Sequence, residues 1–480
     1  MESFDLLVVG GGINGAAIAR DAAIRGARVL LVEKDDLASH TSSASSKLVH
    51  GGLRYLEYYE FRLVREALKE REILLRTAPH IVHPLSFLLP HAAEMRPWWM
   101  MRGGLRLYDL LAWGGTLPRS RTINRREAGL RSALKPEAAR RLALYWDAWV
   151  DDARLVVLNA VDAAGHGAEI VTRTELLSAE REGELWRASL SNGRTVAAKA
   201  IVNAAGPWVA ETLPRLSESS TSRIRLVKGS HIVVPALADG DEAYILQQPD
   251  GRVVFAIPYE DRFTLIGTTD VPVNAPEDAA ISSDEIRYLC EAANRYFVRQ
   301  IAAEDVAWSY SGVRSLYDDG REDAKAVTRD YSLELDQDPG AKLLSVFGGK
   351  ITTARALAEE AVDMLGIKGR KATERSALPG GDIGPAFLLY MESLAKWMPR
   401  PLLTRLSRAY GTRLAELLGS AMSVRDLGRD FGCGLTEAEI RYLQRHEFAR
   451  MAEDILWRRT KLGLHMTQAQ RDAVAAFVGS

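Results

Sequence analysis

The strongest constraint on this chain lies in its first 33 residues. Phe4 to Val9 is a short apolar run that stops at Gly10-Gly11-Gly12. Ile13 to Gly26 follows with Ile13, Ala16, Ala17 and Ile24 at helical spacing, and Arg28 to Val32 is a second apolar run closed by Glu33. Strand, glycine turn, helix and strand make one βαβ unit, which predicts a parallel sheet. Gly10, Gly12 and Gly15 stand at G-x-G-x-x-G spacing around Gly11, Ile13 and Asn14. The first glycine permits the tight turn, the second lets backbone approach a pyrophosphate, and the third lets helix and strand pack closely. The helix N-terminus offers free N–H groups to phosphate oxygens. Glu33 stands where an acid accepts hydrogen bonds from a ribose. The unit predicts a bound dinucleotide and leaves NAD and FAD both open.

At 480 residues the chain exceeds what one core usually holds, so two or three domains are expected. The net charge of -1 gives no overall field to attract nucleic acid, so no nucleic-acid partner is expected and any anion site must be local. Cys290 and Cys433 are the two cysteines, too few for a disulfide framework and in keeping with a reducing compartment. Asp5 stands where the apolar core of a signal peptide would begin, and no run of 18 uncharged apolar residues occurs. Neither a leader nor a spanning helix is expected.

A Ser/Thr-dense segment, His40 to Lys47, follows the βαβ unit, and Tyr58 to Arg76 reads as an amphipathic helix. The middle of the chain is β-like. Strands are expected at 169–174, 187–190, 195–203, 223–234, 244–246, 253–257, 264–267 and 343–347. The last of these runs into Gly348-Gly349 and a helix over 352–365. From about residue 371 strand patterns vanish, and helices are expected at 405–418, 437–447 and 452–461.

Thr41 to Glu57, with Ser-Ser-Ala-Ser-Ser-Lys-Leu-Val-His-Gly-Gly-Leu-Arg-Tyr-Leu-Glu after its threonine, resembles the flavin-proximal segment of the aerobic, FAD-dependent glycerol-3-phosphate dehydrogenases. The resemblance recurs in order along the chain. It includes 149–155 (Trp-Val-Asp-Asp-Ala-Arg-Leu), 203–208 (Asn-Ala-Ala-Gly-Pro-Trp) and 228–234 (Lys-Gly-Ser-His-Ile-Val-Val). It continues through 266–270, 310–314, 328–331 and 345–353 to 456–461, Leu-Trp-Arg-Arg-Thr-Lys. It implies an α/β (α+β overall) FAD-dependent oxidoreductase fold in three parts. A Rossmann-like FAD-binding domain would be built from segments of about 1–75, 150–215 and 320–370. A β-rich substrate domain would cover about 76–149 and 216–319, and an all-helical domain 371–480. The implied reaction takes sn-glycerol 3-phosphate to dihydroxyacetone phosphate, with electrons passing through FAD to a membrane quinone.

The same resemblance implies cofactor contacts from Gly10, Gly12, Ile13, Asn14, Gly15, Glu33 and Lys34, then from Thr41, Ser42, Ser43, Ser45, Ser46, Lys47, Leu48, His50, Gly51 and Gly52. Ala205, Gly206, Gly348, Gly349, Lys350 and Thr352 complete that set, and no metal is implied. Oxidising a secondary alcohol needs a hydride acceptor, a base and a grip on the phosphate. Arginine offers a planar fork of donors and lysine a point charge. The resemblance places Arg54, Tyr55, His231, Arg314 and Lys350 around substrate, and Arg329 is a further candidate. His231 is the preferred base because imidazole titrates near neutrality. His50 is read either as a second proton-transfer group or as a packing group against the flavin. Lys350 opens a helix suited to negative charge on reduced flavin.

Three alternatives compete: a glycerol-3-phosphate oxidase that makes peroxide, an amino-acid or amine oxidase of the same fold, and a non-catalytic flavin-binding protein. The basic set Arg54, Arg314 and Lys350 favours a dianionic phosphate. A quinone-linked enzyme without a spanning helix implies monotopic attachment, peripheral at the cytoplasmic face of the plasma membrane. Pro97 to Arg102 with Leu105, Leu107, Leu110, Leu111 and Trp113 is the most interface-like stretch, although Gly103-Gly104 interrupts it and such stripes are more often core. A homodimer interface and a partner contact both remain open for the helical tail.

Overall fold

The structure, a computed structural model, describes residues 1–479 apart from 92–96, 124–126, 128–132, 217–223, 318–330 and 337–339. Arg329 lies outside the described residues.

Two sheets organise the chain. The first is built on parallel neighbours: Lys342–Phe347, Thr195–Asn203, Glu2–Val9, Val29–Val32 and Glu169–Val171 lie side by side in that order. Ser332–Asp336 closes one edge antiparallel, and the hairpin Leu176–Glu182 and Leu185–Leu190 attaches to Thr195–Asn203. Parallel strands covered on both faces must be apolar throughout. Leu6, Leu7, Val8, Leu30, Leu31, Ile201 and Val202 are accordingly fully buried. The helices Ile13–Ile24, Asp152–Gly165 and Ala354–Met364 pack over one face.

The second sheet is mostly antiparallel. Its long strands Val82–Pro90 and Leu142–Val150 pair over nine positions, and Ile224–Pro235 pairs with both Phe263–Gly267 and Trp308–Tyr317. One face packs on helix Ser283–Asn294, and the other on Phe61–Thr77 and Trp98–Leu111. Beyond residue 371 come only helices, around a core of Leu403, Leu406, Leu414, Leu435, Ile440, Leu443 and Ile455.

Several expectations shift. The helix expected over 405–418 divides into Arg400–Tyr410 and Leu414–Leu418. Gly411 between them takes φ 53°, and a Cβ there would meet the Gly380 carbonyl oxygen at 1.9 Å. The segment expected at 452–461 forms a π-helical turn, Asp454–Arg459. Trp98–Leu111 runs unbroken through Gly103 and Gly104, and it buries only Leu105 and Tyr108. No helix among the described residues is long and apolar enough to cross a membrane.

Candidate active site

Four parallel strands bring their C-terminal ends to one edge, where Val9 is level with Val32 and Asn203, and Asn203 with Ser345. The chain leaves this edge through Gly10–Gly12, Glu33, Ala204–Gly206 and Gly348–Gly349, so four separate sequence segments converge. Ligands of open α/β sheets bind at such an edge.

The glycine turn is tight for a physical reason. Gly10 takes φ 110°, and a Cβ on Gly15 would fall 1.9 Å from the Gly10 carbonyl oxygen. Glu33 accepts from Gly11 N–H at 2.6 Å and from Asp35 N–H at 2.9 Å. Burial pushes its carboxyl above the usual range, while the two backbone donors hold it down. Each oxygen keeps a second lone pair for a ribose hydroxyl. Ile13 N–H donates to Ser42 Oγ at 3.0 Å, and Asn14 Nδ2 donates to the Gly348 carbonyl at 3.0 Å. The Ser-rich segment thereby closes over the glycine turn, and the Gly348-Gly349 turn docks beside it.

These segments wall a cavity of about 790 Å³ that runs from the glycine turn to the substrate sheet. Of the residues expected at a cofactor, Gly12, Ile13, Asn14, Thr41, Ser42, Ser45, Ser46, Leu48, Gly52, Gly206, Gly348, Gly349 and Thr352 line it. His50, Arg54, Tyr55, His231, Arg314 and Lys350 line the same cavity. Gly10, Gly15 and Gly51 lie behind the wall, where Gly51 N–H donates to Tyr108 Oη at 2.9 Å. Lys34, Ser43 and Lys47 face a second cavity of about 490 Å³ instead, in which Lys34 Nζ stands 3.8 Å over the Trp208 ring.

His231 is 3% exposed, stacks on Tyr310 at 4.9 Å and has Nε2 2.9 Å from Ser46 Oγ. Burial, with Lys47 and Arg314 nearby, lowers its pKa to about 3. The ring is therefore neutral across the physiological range, the form that accepts a proton, but weakly basic. Lys350 Nζ is buried without a hydrogen bond among the described residues and stands 4.3 Å over the Tyr55 ring. Arg314 Nη2 donates to Asp270 at 2.7 Å and to the Thr269 carbonyl at 3.3 Å. Arg54 Nη2 reaches the Gly251 carbonyl at 3.3 Å. His50 N–H donates to Thr352 Oγ1 at 3.4 Å, tying the two flavin-proximal segments together.

The residues fit a flavin dinucleotide: a backbone cradle at the glycine turn, a carboxylate for ribose, a long cavity, and a lining ammonium without a hydrogen-bond partner among the described residues. The family profile described as "FAD dependent oxidoreductase" matches residues 5–364. The chain belongs to the FAD-dependent oxidoreductases. A second profile, "C-terminal domain of alpha-glycerophosphate oxidase", matches residues 371–479 of this oxidoreductase. It is 51% identical to a glycerol-3-phosphate dehydrogenase of Pseudomonas aeruginosa, over 100% of this chain and 96% of that protein. It is 48% identical to the aerobic glycerol-3-phosphate dehydrogenase of Escherichia coli (100% and 98%) and 50% identical to the D-erythritol 1-phosphate dehydrogenase of Brucella abortus (99% and 97%). Among solved structures, the glycerol-3-phosphate dehydrogenase of Bacillus halodurans complexed with FAD superposes with a TM-score of 0.75 at 25% identity, over 99% of this chain and 94% of that one.

Sequence reasoning missed part of this oxidoreductase's site. Arg252, Gln247, Gln248 and Phe255 line the cavity from plain strand and turn sequence that carries no motif. Asp152 stands inside the 149–155 motif, where its residue type alone assigns it no role. It is fully buried and receives Lys47 Nζ at 2.9 Å and Ser45 Oγ at 2.8 Å, fixing the end of the Ser-rich segment. The lining also has an apolar share, with Leu53, Leu89, Met101, Leu107, Ile245 and Phe255, and part of it comes from the helix Trp98–Leu111.

Proposed function

We propose that this chain oxidises sn-glycerol 3-phosphate to dihydroxyacetone phosphate and passes the electrons to a membrane quinone. The observation that carries the first part is that Arg54, Arg314 and Lys350 line the same cavity as His50 and His231. Such a cationic set suits a phosphate dianion better than a single carboxylate. Bound FAD supplies the hydride acceptor. Arg54, Arg314 and Tyr55 orient the phosphate, His231 takes the hydroxyl proton, and Lys350 holds developing negative charge; Arg329 belongs to the same substrate reading. His50 packs at the junction of the two flavin-proximal segments.

The quinone reading rests on the apolar share of the lining, part of which comes from the helix Trp98–Leu111, where Trp99 and Leu110 are exposed, with Trp113 exposed just beyond it. Apolar cavity lining next to an exposed apolar helix suits a lipid-borne acceptor. Peripheral attachment at the cytoplasmic face and the division of the chain near residue 370 belong to this reading, and dimerisation through the helical tail is compatible with it.

Anaerobic bleaching of the bound flavin tests the substrate. Glycerol 3-phosphate should reduce it, and glycerol without phosphate should not. D-erythritol 1-phosphate belongs in the same assay, since a relative bearing that name is 50% identical. Faster bleaching by erythritol phosphate would replace the proposed substrate. Peroxide yield matching turnover in the presence of a quinone analogue would replace the proposed acceptor.

A further inference from the structure

The motif at 456–461 has no part in the chemistry above, yet its side chains reach the cofactor segment. Arg459 is 1% exposed and donates Nη1 and Nη2 to Asp36 at 2.6 and 2.9 Å. Arg458 Nε donates to the same carboxylate at 2.6 Å. Asp36 stands three residues past Glu33, and its carbonyl accepts from Ser39 N–H at 3.2 Å. Ala38 N–H within that turn donates to the Gly11 carbonyl at 3.1 Å. The two arginines therefore hold the start of the Ser-rich segment against the glycine turn.

Its end is held from the same place. Lys461 Nζ pairs with Asp151, the neighbour of the Asp152 that grips Ser45 and Lys47. Trp457 stacks on Trp308 at 4.9 Å, Trp308 lies 5.1 Å from Tyr310, and Tyr310 stacks on His231.

We propose that residues 457–461 of the C-terminal helices are positioning residues for the cofactor: by gripping Asp36 and Asp151 they fix both ends of the segment 36–47 and so set how tightly FAD is held. If these contacts served only to join the helices to the rest of the chain, apolar packing would do so at lower desolvation cost than buried ion pairs. One acceptor, Asp36, instead begins the cavity-lining segment, and the other, Asp151, adjoins the Asp152 that holds the segment's end. The π-helical turn supports this, because five-residue spacing is rare and places consecutive Arg458 and Arg459 on one carboxylate. The proposal rests on FAD binding alone and is independent of which alcohol or acceptor is used.

The test uses the full-length holoenzyme with Arg459→Gln, Arg459→Lys and Lys461→Gln. Two quantities are read: the FAD dissociation constant, from flavin fluorescence regained on dilution, and amide hydrogen exchange over 37–47 and over the helices Arg400–Tyr410 and Gln468–Val478. Arg459→Gln should weaken FAD by roughly tenfold or more, the loss expected for charged hydrogen bonds. It should also speed exchange over 37–47 and leave both helices protected. Arg459→Lys keeps the charge without the fork and should fall between. If Arg459→Gln does not fold, Lys461→Gln carries the same test from the other end of the segment. Unchanged FAD affinity in a folded variant would overturn the proposal. So would faster exchange in the two helices equal to that over 37–47, which is the mark of a purely structural joint.

Discussion

Ser46 Oγ and His231 Nε2 lie 2.9 Å apart, joining the Ser-rich segment to the strand Ile224–Pro235. The bond leaves His231 Nδ1 buried without a partner among the described residues. With burial, Lys47 and Arg314 lowering its pKa to about 3, the folded protein resists protonating this ring. In an unfolded chain the same ring protonates near pH 6.5. Between those values the unfolded state binds the extra proton, so stability falls as pH falls through the window, by up to about 1.4 kcal/mol per pH unit for one group. His80, also buried and lowered to about 3, adds in the same direction. Melting temperature should therefore decline from about pH 6.5 downward, and more gently in His231→Asn. Parallel curves for parent and variant would show that His231 is not held neutral.

Arg314 and Asp270 make an ion pair that a phosphate bound by Arg314 would have to rearrange. Both side chains are about one-third exposed, at 34% and 38%, so solvent screens the pair and its worth is roughly 0–1 kcal/mol. A phosphate dianion can take the guanidinium at little cost. Arg314→Ala should raise KM for glycerol 3-phosphate by about 10- to 100-fold, as the loss of a charged hydrogen bond predicts, with FAD content unchanged. Asp270→Asn should lower KM modestly by freeing the arginine. An unaltered KM in Arg314→Ala removes it from phosphate binding.

Lys350 stands in the opposite situation, with a buried ammonium that has the Tyr55 ring but no hydrogen-bond acceptor among the described residues. Such a group destabilises the fold until negative charge arrives. Lys350→Met should therefore keep or raise the melting temperature of the enzyme. It should also slow flavin bleaching by roughly 10²- to 10³-fold, the usual effect of losing one charge-stabilising group. A variant that bleaches at the parental rate would assign Lys350 to structure alone.

The residues that were legible in sequence owe their position to local geometry. The turn Gly10–Gly15, Glu33 and the Gly348-Gly349 turn are each fixed by neighbours a few residues away or by the strand they end. What stayed hidden depends on distant partners. Val82–Pro90 and Leu142–Val150 pair across more than fifty residues and include Pro84, Trp146 and Asp147, which blur the alternating pattern. Asp147 is buried there because Arg71 and Tyr108, from two helices, satisfy its carboxylate. Gly411 breaks a continuous helical pattern because Gly380, thirty-one residues earlier, packs against it. Arg459 reads as an ordinary basic residue late in a helix until Asp36 is seen beneath it.

The helix Trp98–Leu111 carried an ambiguity that periodicity alone could not remove, since an apolar stripe reads the same facing a core or a membrane. In the structure Leu105 and Tyr108 face inward, while Trp99 (71%), Leu110 (61%) and Trp113 (74%) face out, with Arg102 and Arg106 exposed beside them. Tryptophan with flanking arginine is the composition of an interfacial anchor. Each arginine near an anionic surface adds about 1 kcal/mol, and burying two tryptophans adds several more. Trp98 is a poor site to mutate, because it packs against the substrate-sheet core and lies 5.3 Å from the His91 ring. The double variant Trp99→Ser/Trp113→Ser should lose sedimentation with vesicles containing anionic lipid while keeping its FAD and its rate with a water-soluble acceptor. Its rate with a long-chain quinone in those vesicles should fall in step with the bound fraction. Sedimentation equal to the parent would mean that another face of the protein meets the lipid.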